Sequence, residues 1–173
     1  MTDTEFRSLY NSAFPILFRV AYRIASSSEA AEDLCQDAFS RLHEKNMVFP
    51  SLQEATYWLI RVVKNASLNY AKRKQRERIA YNKAFKEDVR QTETGEGQLI
   101  KKESKEEVAA ALNKLPEKLR MVLILKEYAG MNYKEIGKTL GISEGNVKVR
   151  VFRARETLAH ILKASEQNTT EGK

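Results

Sequence analysis

The 173-residue chain is poor in residues that cross-link chains or bind metals. Its only cysteine, Cys35, excludes an internal disulfide bond, because no second thiol is present. With His43 and His160 as the only histidines, a closed structural zinc site would need carboxylates to complete it. No apolar run reaches the roughly 18 residues of a transmembrane helix, and the N-terminal segment lacks the pattern of a signal peptide. These absences predict a cytoplasmic protein with no membrane insertion, no metal and no cofactor.

Glycine and proline are also scarce, with seven and three residues, and we place them between helical stretches. Apolar residues recur every three or four positions through most of the chain, which predicts an all-α fold. Residues 79–104 are instead polar and balanced in charge, so we expect a flexible linker that can be helical at its edges. The linker separates two helical domains, residues 1–78 and 105–163, and the polar residues 164–173 predict a disordered tail.

Charge is distributed unevenly around a net value of +7, which favours a polyanionic partner. Residues 29–44 contain five acidic residues and one arginine, whereas residues 61–78 contain seven basic residues and one glutamate. In or beside the basic stretch lie Trp58, Asn65 and Asn69, residue types that supply stacking and base-edge contacts to single-stranded nucleic acid. The alternative is that both charged stretches are ordinary solvated faces and that Trp58 is a core residue. The segregation of charge favours two different partners.

The strongest local pattern is YKEIGKTLGISEGNVKVRVFR at residues 133–153. A short helix, a turn at Gly141 and a second helix capped by Ser143 are typical of a helix-turn-helix, and Gly137 stands where the helices must cross closely. The core face of the second helix is predicted to consist of Val147, Val151, Ala154, Leu158 and Ile161. The opposite face carries Phe152 between basic residues, which suits the major groove of DNA. The alternative is an amphipathic helix with a solvated basic face.

Three segments of the chain occur in the order found in a known family. They read SSSEAAEDLCQDAFSRLHE, YWLIRVVKNASLNYAKRKQRE and LNKLPEKLRMVLILKEYAGMNYKEIGKTLGISEGNVKVRVFRARETL. They resemble, in turn, the core-polymerase-binding, −10-recognising and −35-binding regions of bacterial extracytoplasmic-function (ECF) sigma factors. The resemblance extends over about residues 5–163. It implies two helical domains, the second with a helix-turn-helix, in a promoter-specificity subunit that has no catalytic activity of its own.

The resemblance also implies partners and binding residues. The expected partners are core RNA polymerase, contacted at the clamp of its largest subunit and at its flap, promoter DNA, and an anti-sigma factor. The core-binding residues are Glu32, Asp33, Gln36, Asp37 and Phe39. Together with the basic stretch, the resemblance assigns −10 DNA binding to Trp58, Arg61, Asn65, Asn69, Lys72 and Arg73. It assigns −35 DNA binding to Asn146, Lys148, Val149, Arg150, Phe152 and Arg153. The loop at 47–53 matches the loop that holds a flipped −10 base.

Two other classes of function are alternatives to a sigma factor. A conventional helix-turn-helix regulator would bind duplex DNA alone, as a dimer on a palindrome. Such a regulator would leave the acidic stretch without a role, and also the helix face that Trp58 and Asn65 share at a spacing of seven residues. An enzyme is not expected, because the sequence has no P-loop, no G-x-G-x-x-G motif and no nucleophile–histidine–acid arrangement.

Overall fold

The computed structural model describes residues 1–85 and 99–170, the latter without the side chains of 99–104 and of residue 169. Within these ranges the regular structure consists of seven α-helices and no strand. The helices are α1 (Asp3–Ala25), α2 (Ser28–Glu44), α3 (Leu52–Ala84), α4 (Leu99–Lys114), α5 (Glu117–Glu127), α6 (Tyr133–Leu140) and α7 (Glu144–Thr170). The prediction of an all-α fold is therefore confirmed.

Side-chain caps set the start of both helices of the helix-turn-helix. At α6, Asn132 accepts a hydrogen bond from the Glu135 backbone N–H (2.9 Å), and the Glu135 carboxylate accepts one from the Asn132 N–H (2.7 Å). At α7, the Ser143 hydroxyl accepts a hydrogen bond from the Asn146 N–H (3.1 Å). Gly141 ends α6 at φ +70°, a left-handed conformation that glycine adopts without steric cost. Local sequence signals therefore determine where the helices of the helix-turn-helix begin and where α6 ends.

Gly137 lies where the turn folds back onto α6. A Cβ atom built on Gly137 would lie 2.7 Å from the carbonyl oxygen of Ile142, which is closer than non-bonded atoms tolerate. The Gly137 carbonyl also accepts a hydrogen bond from the Ile142 N–H (3.0 Å). The approach is backbone to backbone, so no side chain at position 137 can turn aside to relieve it. The predicted need for a small residue there is confirmed.

The first domain consists of α1, α2 and α3, and α1 packs against both of the others. Its largest fully buried side chains include Leu9, Leu17, Leu42, Leu59 and Val63. Because these apolar residues face inward, the charged residues of α2 and α3 lie on outer faces of the domain. The core therefore holds α2 and α3 in fixed positions relative to each other.

The second domain is formed by α4 to α7, with α7 packed on α5, α6 and α4. On the predicted core face of α7, Val147, Val151 and Ala154 are buried, and Leu158 and Ile161 are half-buried. The stripe is the one that the helical periodicity predicts. Its burial turns the opposite side of α7 towards solvent.

The two domains also pack directly against each other, through contacts of α1 with α5 and of α3 with α6. An apolar cluster joins them, in which Val20 and Ile24 of α1 and Leu68 of α3 meet Met121 and Ile124 of α5. All five side chains are buried. The described chain is therefore closed, with one side of the first domain covered by the second.

The segment predicted as a linker between 79 and 104 is helical at both described edges, which the prediction allowed. Helix α3 continues to Ala84 and α4 begins at Leu99, so both edges of that segment are helical, whereas residues 86–98 lie outside the described residues. The extension of α3 has local causes. Glu77 forms ion pairs with Arg73 (3.7 Å) and Lys74 (3.3 Å) one turn earlier, and no glycine or proline occurs between 52 and 84.

Two expectations are corrected by the structure. The tail predicted to be disordered from residue 164 is helical as far as Thr170, because no glycine or proline occurs between Gly145 and Gly172 and α7 keeps its apolar face through Ile161. Pro15 lies inside α1 rather than between helices. It is exposed, as is residue 11, so the carbonyl that loses its N–H donor can be hydrated. Among the described helices, none is both long and apolar enough to cross a membrane.

Candidate nucleic-acid interface

The outer face of α7 brings together most of the residues assigned to −35 DNA. Lys148, Val149, Phe152 and Arg153 are all exposed, Phe152 by 69% and Val149 by 48%. They lie opposite the buried face that begins at Val147. A largely exposed phenyl ring beside two cations is a costly surface for a free helix, and it matches what the major groove offers: phosphates, guanine edges and thymine methyl groups.

Two other residues of this set are tied to each other at the start of α7. The Arg150 Nε donates a hydrogen bond to the Asn146 Oδ1 (3.2 Å) one turn earlier. Asn146 is exposed and Arg150 is half-buried. The pair can present an amide and a guanidinium to the same nucleotide step, because the hydrogen bond fixes their relative position.

The face of α3 forms an open groove with α2, of about 560 Å³. Asn65, Asn69 and Arg73, three residues of the predicted −10 set, line it because residues four apart share a helix face. Arg41 of α2 and Arg76 of α3 also line it, although neither was among the predicted site residues. Arg41 is the only arginine of the acidic stretch, and nothing in the local pattern shows that it faces the basic helix. The groove therefore combines three guanidinium groups with two amides.

An aromatic ring adds to the groove. Tyr70 lies on its wall, and the guanidinium of Arg73 and the ammonium of Lys74 lie 5.6 Å and 5.8 Å from the centre of its ring. Cations, amides and one aromatic surface in a single groove are suited to a strand of unpaired nucleotides, since such strands are bound by phosphate neutralisation and base stacking.

Trp58 does not line this groove, although it lies on the same helix. It is half-buried and packs on Phe49 of the loop that precedes α3, with 5.9 Å between the ring centres. The interpretation of Trp58 as a packing residue is therefore supported. The same loop borders a separate pocket of about 320 Å³ near the start of α1, lined by Glu5, Met47 and Phe49 among others. Val48 at its rim is 85% exposed.

Arg61 and Lys72 of the −10 set point to the second domain. The Arg61 Nη2 donates a hydrogen bond to the Lys138 carbonyl oxygen (2.6 Å), and the Lys72 Nζ forms an ion pair with Glu117 (3.0 Å). The structure thus divides the six predicted −10 residues among the groove, the loop and the contact between domains. Contacts with residues so distant in the chain leave no signal in the sequence around α3.

Tyr57 joins the same contact between domains. Its hydroxyl donates a hydrogen bond to the Glu135 carboxylate and accepts one from the Gln53 side chain (2.6 Å). Burial, together with the hydrogen bond to Glu135 and its negative charge, raises the pKa of Tyr57 to about 12. The hydroxyl therefore stays protonated and remains a donor throughout the physiological range of pH.

The acidic face of α2 is a third surface. Glu32, Asp33, Gln36 and Asp37 are exposed, and the Gln36 amide donates to the Glu32 carboxylate (3.3 Å). Phe39 is only 3% exposed, so it adds little area to this face, although it lines an open pocket together with Gln36. It packs instead against the rings of α1, which include Tyr10 at 4.8 Å and Phe6 at 6.0 Å between centres.

Cys35, on the inner side of α2, takes no part in this surface. It is fully buried, and burial, with the charge of Glu32, raises the pKa of its thiol to about 12. The thiolate is the reactive form, so the thiol is chemically inert at neutral pH.

Comparisons with known proteins agree with this division into two domains. Residues 9–77 match the family model of Sigma-70 region 2, and residues 105–158 match that of Sigma-70, region 4. The chain is 31% identical over 157 residues to the ECF RNA polymerase sigma factor SigM of Mycobacterium tuberculosis, covering 91% of this chain and 76% of that protein. It is 31% identical over 161 residues to the ECF RNA polymerase sigma factor SigE of Mycolicibacterium smegmatis, covering 90% of this chain and 60% of that protein.

A solved structure resembles most of the chain. The sigma factor RpoE from Bartonella quintana, crystallised in complex with the anti-sigma factor NepR, superposes with a TM-score of 0.68 at 26% identity. The superposition covers 92% of this chain and 98% of that one. The similarity therefore includes both domains rather than the helix-turn-helix alone.

Proposed function

Because the chain belongs to the family of ECF RNA polymerase sigma factors, it is a promoter-recognition subunit, and we propose how its three surfaces divide that task. The α2 face binds core polymerase, the α3 groove and neighbouring loop bind the −10 element, and α7 reads the −35 element. The observation that carries the proposal is that the three surfaces are distinct. The exposed face of α2 is acidic, whereas the α3 groove and the outer face of α7 carry basic residues.

The acidic face of α2 is suited to the clamp of the largest polymerase subunit. Glu32, Asp33 and Asp37 are exposed together, and a basic partner helix would pair with them. Gln36 lies among them as a hydrogen-bonding group. Phe39 supports this face from within by packing on α1 instead of touching the polymerase. Contact of the second domain with the flap completes the attachment in this proposal.

The groove of α3 is suited to the melted −10 strand. Asn65 and Asn69 offer amides to base edges, and Arg73 offers its charge to the phosphates. Unstacking a base costs a few kcal/mol, whereas stacking on an aromatic surface returns about 1–3 kcal/mol per base. Melting is then close to balance, and the pocket beside the loop at 47–53 can tip it by receiving a flipped base.

The outer face of α7 is suited to the −35 duplex. Lys148 and Arg153 neutralise phosphates or reach guanine edges, and Phe152 contacts thymine methyl groups. Val149 offers only an apolar contact, because its side chain has no hydrogen-bonding atom. Asn146 and Arg150 act as one hydrogen-bonded pair at the start of the helix.

Core polymerase performs the chemistry in this proposal, and the chain itself catalyses no reaction. We place it in the cytoplasm with the polymerase, under the control of an anti-sigma factor such as the one bound to the B. quintana relative. A conventional helix-turn-helix regulator is not favoured, because the match to Sigma-70 region 2 covers the domain that such a regulator would not use.

The test is reconstitution with bacterial core RNA polymerase and run-off transcription from a genomic promoter library. Stoichiometric binding to core and discrete transcripts are expected. A variant with Glu32, Asp33 and Asp37 replaced by their amides should lose core affinity, whereas Glu127→Gln, outside all three surfaces, should retain it. Tight binding to duplex DNA without any affinity for core would contradict the proposal.

A further inference from the structure

A crevice of about 640 Å³ lies between the two domains and is distinct from the α3 groove and from the outer face of α7. It is bordered by the end of α1, the second half of α3 and the start of α5. Small-molecule sites in proteins have volumes of about 300–1,000 Å³ and often lie between domains. The crevice therefore has the size and the position of a ligand site, and the residues around it decide which ligand it suits.

Basic side chains of both domains line this crevice. The first domain contributes Lys72, Lys74 and Arg78 from α3, and the second contributes Arg120 from α5. Among the described residues that line the crevice, Glu117 is the only carboxylate, and it pairs with Lys72 at 3.0 Å. Four cations beside one carboxylate leave an excess of positive charge, which attracts anions.

Two of the four cations have donor groups left for a ligand. The side chain of Arg78 is exposed and forms no ion pair or hydrogen bond within the described part of the chain. Arg120 donates to the Asn113 carbonyl oxygen through its Nη1 (3.3 Å), whereas its Nε is buried without a hydrogen-bond partner in the same part. Lys74, by contrast, pairs with Glu77 (3.3 Å), which does not line the crevice. A buried donor without an acceptor is unfavourable, and an anion oxygen beside Arg120 would supply the acceptor.

The spread of these cations indicates how large the anion is. Lys72 and Arg78 are six residues apart, which is about 9 Å along α3, and Arg120 lies on a different helix. A row of phosphate groups matches this spread better than a single phosphate ion does. Guanidinium groups bind phosphates through paired N–H donors, and ammonium groups bind them as point charges. The lining therefore favours an anion that carries several phosphates.

We propose that the crevice binds a small anion with several phosphate groups, either an inorganic polyphosphate or a phosphorylated nucleotide. The ligand accepts hydrogen bonds from the basic residues of α3 on one side and from Arg120 of α5 on the other. Because it binds the folded chain, it stabilises that chain more strongly as its concentration rises. The need for Arg120 separates this site from a general attraction of the basic α3 for polyanions, DNA included.

Titration calorimetry of the full chain with inorganic tripolyphosphate tests the site. One tripolyphosphate is expected to bind per chain, and inorganic phosphate should bind at least about tenfold more weakly, because it accepts fewer charge-assisted hydrogen bonds. Titration with ATP, without added magnesium, distinguishes the two sources of phosphate. Tighter binding of ATP than of tripolyphosphate assigns the site to nucleotides, and equal or weaker binding assigns it to inorganic polyphosphate.

Arg78→Gln and Arg120→Gln should each weaken tripolyphosphate binding by about tenfold, since each removes one charged donor. Arg76→Gln is the matched control. Arg76 is an exposed arginine of α3, two residues from Arg78, but it lines the α3 groove instead of the crevice. It makes the same change of charge and should bind tripolyphosphate like the wild type.

Thermal unfolding separates a loss of binding from a loss of folding. Because Arg78 is exposed, Arg78→Gln should unfold at the wild-type temperature, but it should lose most of the stabilisation that tripolyphosphate gives the wild type. Absence of binding to the wild type would overturn the inference, and so would equal losses in Arg76→Gln and Arg78→Gln or wild-type affinity in Arg120→Gln. Neither DNA nor polymerase is present, so the result does not depend on the proposed function.

Discussion

The recognition face of α7 and the groove of α3 illustrate two ways of placing charged residues on a helix. Among the described residues, the main packing partners of helix α7 are α4, α5 and α6 of its own domain, and the residues predicted from its periodicity share one exposed face. Helix α3 packs on α1 and α2 and also meets α6, so its predicted residues are distributed among three environments. Helical periodicity therefore predicts a face reliably when the helix packs within one domain, and only in part when helices of two domains pack against it.

The largest effect is expected from a substitution at the close backbone approach in the turn between α6 and α7. Gly137→Val would force a Cβ to within 2.7 Å of the Ile142 carbonyl, and overpacking of this kind costs about 1–3 kcal/mol or more. The second domain should lose thermal stability and duplex DNA binding together. Gly145→Ala is the control, because its Cβ would meet no atom within 4 Å, and it should be neutral or stabilising in thermal unfolding. Equal stability of both variants would show that the close approach does not matter.

The next largest effect is expected from a substitution in the α3 groove. Asn65→Ala should reduce promoter opening by about tenfold or more, since a base-edge contact contributes roughly 1–3 kcal/mol. Asn65 is exposed, so unfolding should shift by less than about 0.5 kcal/mol. Permanganate reactivity of −10 thymines measures opening, and a pulldown measures core affinity. Reduced core affinity with intact melting would exclude the assignment.

A smaller effect is expected for the exposed ring on α7. Phe152→Ala should weaken binding to the −35 duplex by about fivefold, which corresponds to roughly 1 kcal/mol of apolar contact. Its thermal stability should not change, because the side chain is 69% exposed. Phe85→Ala, which removes another exposed ring (58%), serves as the control and should bind the duplex normally. Equal binding by both variants would remove Phe152 from the DNA contacts.

The smallest effect concerns charge alone. Arg153→Ala should weaken duplex binding and lower the slope of log affinity against log salt by about one. Arg7→Ala, an exposed arginine of α1, makes the same charge change away from α7. A slope that stays the same for Arg153→Ala would mean that this guanidinium contacts no phosphate.

The helix-turn-helix was predictable because its signals are local. The Asn132 box, the Ser143 cap and the left-handed Gly141 all act within a few residues of the helix ends they define. The buried stripe of α7 follows from periodicity in the same way. Even Gly137, which requires a close approach across the turn, meets a residue only five positions later.

The site residues that the sequence missed or placed in other surroundings depend on contacts between distant residues. Arg41 joins the α3 groove from α2, and Lys72 is paired with Glu117 from another domain. Phe39 has the spacing of a surface motif but faces α1, because the adjacent rings of α1 form a continuous aromatic packing surface. In each case the deciding partner lies outside the segment that carries the pattern, so periodicity alone does not identify it.

In the proposed function, one chain divides −35 duplex binding and −10 strand capture between α7 and α3 on core polymerase. Combined nuclease and permanganate footprinting, on a promoter found by run-off transcription, tests it most directly. With core present, the wild type should protect the −35 duplex and make −10 thymines reactive, and Asn65→Ala should keep the protection while losing the reactivity. Loss of both signals together in Asn65→Ala, or full protection and melting without core, would contradict the claim.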